Sequence, residues 1–88
     1  MYLHIGLDVC VKIKDIVAIM DLETTSPSKI TREFLRRKNY EAVEISDEIP
    51  KSYVITNSMG KTRLYISPIS SQTLLKRAEN VKEHLNLL

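Results

Sequence analysis

The sequence predicts an α+β fold, a small and mostly antiparallel sheet of five or six strands with two helices. Short apolar stretches recur between polar breaks, and residues 9–13 alternate apolar and polar side chains with the period of a half-buried strand. The 88 residues contain no linker, repeat or low-complexity segment, so they form a single domain, 1–88. The predicted strands are 2–5, 9–13, 16–20, 42–45, 53–56 and 64–66.

Each helix has a serine where it is expected to begin. Ser26 can accept hydrogen bonds from the free amides of a first helix, and Pro27 suits the first helical position because its missing N–H costs nothing there. That helix is predicted to run to about Lys38. Ser70 or Ser71 can begin the second helix in the same way. Its predicted apolar stripe is Leu74, Leu75, Ala78, Val81 and Leu85.

Residues 57–61 are predicted to form the connection of a β-hairpin, with Gly60 in a left-handed conformation. Gly60 also begins a Gly-Lys-Thr sequence that resembles the end of a phosphate-binding loop. That motif needs a glycine five residues earlier, where this chain has Ile55, and a helix afterwards, where this chain has a predicted strand. A turn between two strands is therefore the interpretation that fits.

The composition argues against an enzyme and against a metal or cofactor site. Cys10 is the one cysteine, so there is no internal disulfide, and with two histidines it falls short of a zinc set. Cys10 and His4 lie in predicted strands, where we expect a buried cysteine and a core or interface histidine. No residues assemble a nucleophile with a base, so no small-molecule substrate is expected. With no leader and no run of about 18 apolar residues, we expect a cytoplasmic protein without a membrane segment.

Charges are segregated along the chain although the net charge is only +2. Residues 29–38 and 51–77 are basic and residues 41–48 are acidic, which can build one basic and one acidic face. Basic side chains neutralise phosphates, so double-stranded DNA is the predicted partner, contacted through its backbone. A domain this small gains from self-association, and a homo-oligomer multiplies weak contacts. The candidate nucleic-acid-binding residues are Lys14, Lys51, Lys61, Arg63, Arg36 and Arg37.

The order of these segments resembles the RemA/RemB family of bacterial extracellular-matrix regulators, and its RemB-like branch in particular. The resemblance covers roughly residues 1–80, and no single stretch is chemically diagnostic. The matching stretches are residues 1–6, 15–21, 33–35, 50–56 and 65–78.

This resemblance implies a transcriptional regulator of biofilm matrix genes that assembles into rings, wraps DNA and has a fold related to LytTR domains. It also implies DNA contacts at the turn of Lys14 and Asp15 and in the loop Ile49-Pro50-Lys51, which precedes the predicted strand 53–56. The chain departs from the RemA-like pattern, because Asp15 stands where a base is expected and Ile49-Pro50 replaces a double arginine. The alternative is a structural or protein-interaction module that forms an oligomer without binding DNA directly.

Overall fold

The computed structural model describes residues 1–24, 26–30 and 40–86. Strands are the commonest element of the described residues, and a long helix follows the last strand. The elements, in chain order, are β1 Tyr2–Gly6, β2 Val9–Lys12, a 3₁₀ turn Ile13–Asp15, β3 Ile16–Asp21, α1 Pro27–Ile30, β4 Tyr40–Glu44, β5 Ser52–Ser58, β6 Lys61–Ser67 and α2 Ser71–Asn86.

The six strands in the described part of the chain form two sheets, so the predicted single sheet of five or six strands is wrong. β1 and β2 pair as an antiparallel ribbon, and the other sheet has the order β3-β5-β6-β4. β4 runs parallel to β6, whereas β3, β5 and β6 pair antiparallel. The division occurs at the 3₁₀ turn, because it redirects the chain so that β3 pairs with β5 and not with β2.

The prediction of two helices also needs correction. α2 is a long helix of 16 residues. The described part of α1 is a single turn, Pro27–Ile30, and the rest of the predicted span to Lys38 lies outside the described residues. The relation to LytTR domains stays a prediction. No helix in the described part of the chain is long and apolar enough to cross a membrane.

The main core lies between the β1–β2 ribbon, one face of the four-stranded sheet and α2. Leu3, Ile5, Val54 and Leu74 are at most 2% exposed, and they belong to one apolar cluster. They come from β1, β5 and α2, which are distant in the sequence. Burying each such side chain contributes roughly 1.5–3 kcal/mol. The ribbon is therefore held against the larger sheet chiefly by apolar contact.

Two buried serines bond neighbouring segments, and one of them, Ser67, ties the ribbon to the sheet. The Ser67 hydroxyl donates to the carbonyl oxygen of Ile5 at 2.6 Å and accepts from the amide of Ile69 at 3.0 Å. The Ser52 hydroxyl donates to the carbonyl oxygen of Ile69 at 2.7 Å. Both serines are fully buried, so these bonds satisfy polar groups that water cannot reach.

The two predicted helix starts are confirmed. The Ser26 hydroxyl oxygen accepts from the amide of Lys29 at 3.2 Å, and that of Ser70 accepts from the amide of Thr73 at 3.2 Å. Leu74 is completely buried, whereas Leu75 is 47% exposed. Placing Leu75 on the inward stripe was therefore wrong, because the helix turns it away from the sheet.

The outer face of the ribbon exposes the two residues that the sequence suggested were buried. His4 and Cys10 are directly opposite each other in the β1–β2 register, and both are exposed. Leu3 and Val11 occupy the opposite face and are buried. The prediction of a buried Cys10 is wrong, because the alternation of the strand turns Cys10 outward while its neighbour Val11 faces the core.

Candidate nucleic-acid interface

Three of the six predicted DNA-contacting residues lie at one end of the four-stranded sheet. Lys14 lies on the 3₁₀ turn immediately before Ile16, which pairs with Thr56 of β5. Lys61 and Arg63 are on β6, and Arg63 also pairs with Thr56, from the other side. We call this region the basic end and define it as residues 12–15, Glu41 and residues 58–63.

Lys12 also belongs to the basic end, although it was absent from the predicted set. It is exposed on the outer side of β2, two residues before the exposed Lys14. An open groove of about 250 Å³ has Lys12, Asp15, Arg63 and Tyr65 in its lining. The signal for Lys12 was the strand alternation, which turns Lys12 outward when Val11 faces the core.

Glu41 partly neutralises the hairpin cations of the basic end. Its carboxylate lies 3.3 Å from the Lys61 Nζ and 3.5 Å from the Arg63 Nε. The parallel register explains both pairs, because Glu41 is directly opposite Arg63 across β4 and β6. Each side chain is about half exposed, and such pairs contribute only about 0–1 kcal/mol. Their main effect is to reduce the charge that Lys61 and Arg63 present.

Arg63 stays charged in this setting. The Tyr65 side chain, and to a smaller extent the Glu41 carboxylate, raise the pKa of Arg63 above its ordinary value. The basic end divides into two parts. Lys12 and Lys14 form no ion pair among the described residues, whereas Lys61 and Arg63 both pair with Glu41.

Lys51 lies at the other end of the same sheet. It directly precedes β5, and its amide donates to the carbonyl oxygen of Ser67, where β6 ends. β5 has seven residues, which at about 3.3 Å per residue separate the two ends by roughly 20 Å. The structure thus does not bring Lys51 together with Lys14, Lys61 and Arg63.

The surroundings of Lys51 are acidic. We call residues 21–24 and 44–51 the acidic end, and they carry five carboxylates and one base, Lys51. The two segments meet because the Leu22 amide donates to the carbonyl oxygen of Lys51 at 3.1 Å, and because Asp21 pairs with Ser52. The carboxylates are Asp21, Glu23, Glu44, Asp47 and Glu48.

The two remaining predicted residues are on the first predicted helix. Arg36 and Arg37 lie outside the described residues. In the part of the chain that the structure describes, no group of three or more histidine, cysteine or carboxylate side chains is placed to hold a metal ion. The charges at the two ends of the sheet are therefore the main chemical feature of the described surface.

The fold and the surface together define a small, sheet-rich domain that presents separated basic and acidic ends. The RemA-like family, described as "Extracellular matrix regulatory protein A-like", matches residues 2–78. The chain is also 40% identical over 79 residues to "Extracellular matrix regulatory protein B" of Bacillus subtilis (strain 168), covering 90% of this chain and 91% of that protein. The chain belongs to the RemA-like family, and the predicted resemblance to its RemB-like branch is confirmed.

Proposed function

We propose that this protein is a cytoplasmic transcriptional regulator of extracellular-matrix genes that binds double-stranded DNA as a homo-oligomer. Membership of a family of extracellular-matrix regulators supports the regulatory role. The observation that carries the DNA contact is the exposed pair Lys12 and Lys14, which has no ion-pair partner among the described residues. These lysines contact the phosphate backbone and hold the basic end against the duplex.

The acidic end faces away from DNA in this proposal. The acidic end carries five carboxylates and one base, Lys51, and its negative charge repels phosphates within about one Debye length. The basic end therefore carries the contact through Lys12 and Lys14, with Lys61 and Arg63 weakened by Glu41. Lys51 contributes little.

Self-association supplies the affinity that one copy lacks. Two phosphate contacts from Lys12 and Lys14 change the slope of log K against log salt by only about 1.8 per copy. Several copies on one duplex add their contacts and raise the effective concentration of each. Steep salt dependence is therefore expected of the oligomer and not of a single domain.

The test is fluorescence anisotropy of a labelled duplex of roughly 100 base pairs at two salt concentrations. Tight binding at low salt should weaken steeply as salt rises. Lys14→Glu should lower both the affinity and the slope, because it replaces a phosphate contact with a repulsive charge. Lys76→Glu is the matched control, with the same charge change on the exposed side of α2, and it should leave the slope nearly unchanged.

The second candidate function is a protein-interaction module that forms an oligomer without direct DNA binding. The neutralisation of Lys61 and Arg63 by Glu41, with Asp15 beside Lys14, favours this function. Protein that is folded and oligomeric but does not bind the duplex at low salt would overturn the DNA-binding proposal and support the module.

A further inference from the structure

The β5–β6 hairpin ends in an exposed apolar side chain surrounded by polar and basic groups. We call residues 58–61 the hairpin tip. Met59 is fully exposed at its apex, and its backbone has a left-handed φ of 53°. Lys61 follows two residues later and is about half exposed. Methionine is flexible and polarizable, so it adapts to irregular apolar surfaces.

The acidic end contains a groove whose properties complement the hairpin tip. The groove has a volume of about 360 Å³ and is lined by two carboxylates and one cation, by apolar surface, and by the residues where α2 begins: Asp21, Glu23, Lys51, Ile49, Pro50, Ser70, Ser71 and Gln72. Ile49 is 83% exposed and supplies apolar surface there. Glu23 is exposed, and Asp21 and Glu23 put negative charge on the lining.

We infer that the hairpin tip of one copy docks into the acidic-end groove of a second copy, with Met59 against Ile49 and Lys61 facing Glu23. The inference rests on the self-association part of the proposed function and names the surfaces that perform it. Charge complementarity selects the occupant, because the acidic end and the basic end of this same chain carry opposite net charge. Ser58 of the hairpin tip lines the same groove as Lys12, but the docking side chains, Met59 and Lys61, are other than Lys12 and Lys14.

The position of the two surfaces determines the kind of assembly. They lie at opposite ends of one sheet, so a copy that docks its hairpin tip still has a free groove. This contact is heterologous, and repetition closes a ring or extends a filament. Salt weakens these assemblies because the ion pairs lie near the surface.

Charge reversal tests the contact by sedimentation velocity and light scattering at several protein concentrations. Lys61→Glu and Glu23→Lys should each weaken self-association about tenfold, since each replaces an attractive pair by a repulsive one. An equimolar mixture of the two variants should regain assembly. The altered tip of one variant then faces the altered groove of the other, and the remaining tip and groove are both native. Lys76→Glu, on the exposed side of α2, is the control with the same charge change and should assemble like the native protein.

The outcomes separate this inference from the proposed function. Native protein that assembles while both single variants assemble equally well, or a mixture that stays dissociated although each variant folds by circular dichroism, overturns the docking contact. The DNA titration stands independently of that result. A native protein that stays monomeric at every concentration overturns both the docking contact and the self-association proposal, whereas loss of duplex binding alone overturns only the DNA contact.

Discussion

Met59→Asn should stabilise the folded monomer and weaken the assembly at the same time. Ser58 pairs with Lys61, so the loop contains only Met59 and Gly60, with φ values of 53° and 81°. Two left-handed residues between antiparallel strands form the turn that favours Asn-Gly. A left-handed backbone costs an L-residue about 1–2 kcal/mol, and asparagine tolerates it better than methionine.

The expected gain is about 1 kcal/mol in the free energy of unfolding, half or more of that backbone cost. For a domain of this size, this corresponds to a rise of about 4–8 °C in Tm. The side chain contributes no opposing loss in the monomer, because Met59 is fully exposed and buries nothing. The gain should therefore appear in full once self-association is removed.

Urea denaturation at high salt measures the monomer, because self-association would otherwise add to the apparent stability. Met59→Ala is the matched control, since it removes the same side chain but keeps the backbone cost. Both variants should weaken assembly about equally, and only Met59→Asn should raise the free energy of unfolding. Equal stability of the two variants would refute the strained-turn reasoning, and unchanged assembly in both would refute the role of Met59 in docking.

Two further predictions concern the ribbon turn and the carboxylate of the basic end. Gly6→Ala should destabilise the protein by roughly 1–3 kcal/mol in urea, because a Cβ there would lie 3.0 Å from Ile45 and 3.1 Å from Pro68, at a φ of 142°. Gly60→Ala, whose Cβ would meet nothing within 4 Å, is its control, and an equal loss in both would contradict the crowding argument. Glu41→Gln should raise duplex affinity and steepen its salt dependence, because it releases Arg63, which takes no part in docking. An unchanged slope in the anisotropy titration would show that Arg63 does not contact phosphate.

Local features of the fold could be read from the sequence because local chemistry determines them. Ser26 and Ser70 begin helices through their own hydroxyls, and Gly60 takes the left-handed position that a side chain resists. The left-handed backbone of Met59 was not predicted, because methionine rarely adopts that conformation.

Strand pairing could not be read in the same way. The alternation in residues 9–13 predicts a strand but does not say which strand pairs with it. The separate ribbon and the pairing of β3 with β5 depend on the 3₁₀ turn at Ile13–Asp15. This turn contains no glycine or proline that would predict it from the sequence. The parallel pairing of β4 with β6 joins segments some twenty residues apart and depends on tertiary contacts.

The candidate site was predictable as a set of charges but not as a surface. The sequence showed acidic and basic blocks, and the structure places acidic residues around Lys51 and basic residues around Lys14, Lys61 and Arg63. Lys51 and Lys61 are ten positions apart and appeared equivalent until β5 separated them by roughly 20 Å. The pairing of Glu41 with two cations needed the parallel register, which was not predicted.

The bond from Ser67 to Ile5 has a consequence for how the chain folds during synthesis. It joins residues 62 positions apart, and Leu74 packs into the same cluster as Leu3. The strands of the ribbon therefore cannot complete their core until Ser67 and Leu74 have also emerged from the ribosome. Contacts this distant in sequence slow folding, and the apolar face of the ribbon stays open to chaperones in the interval.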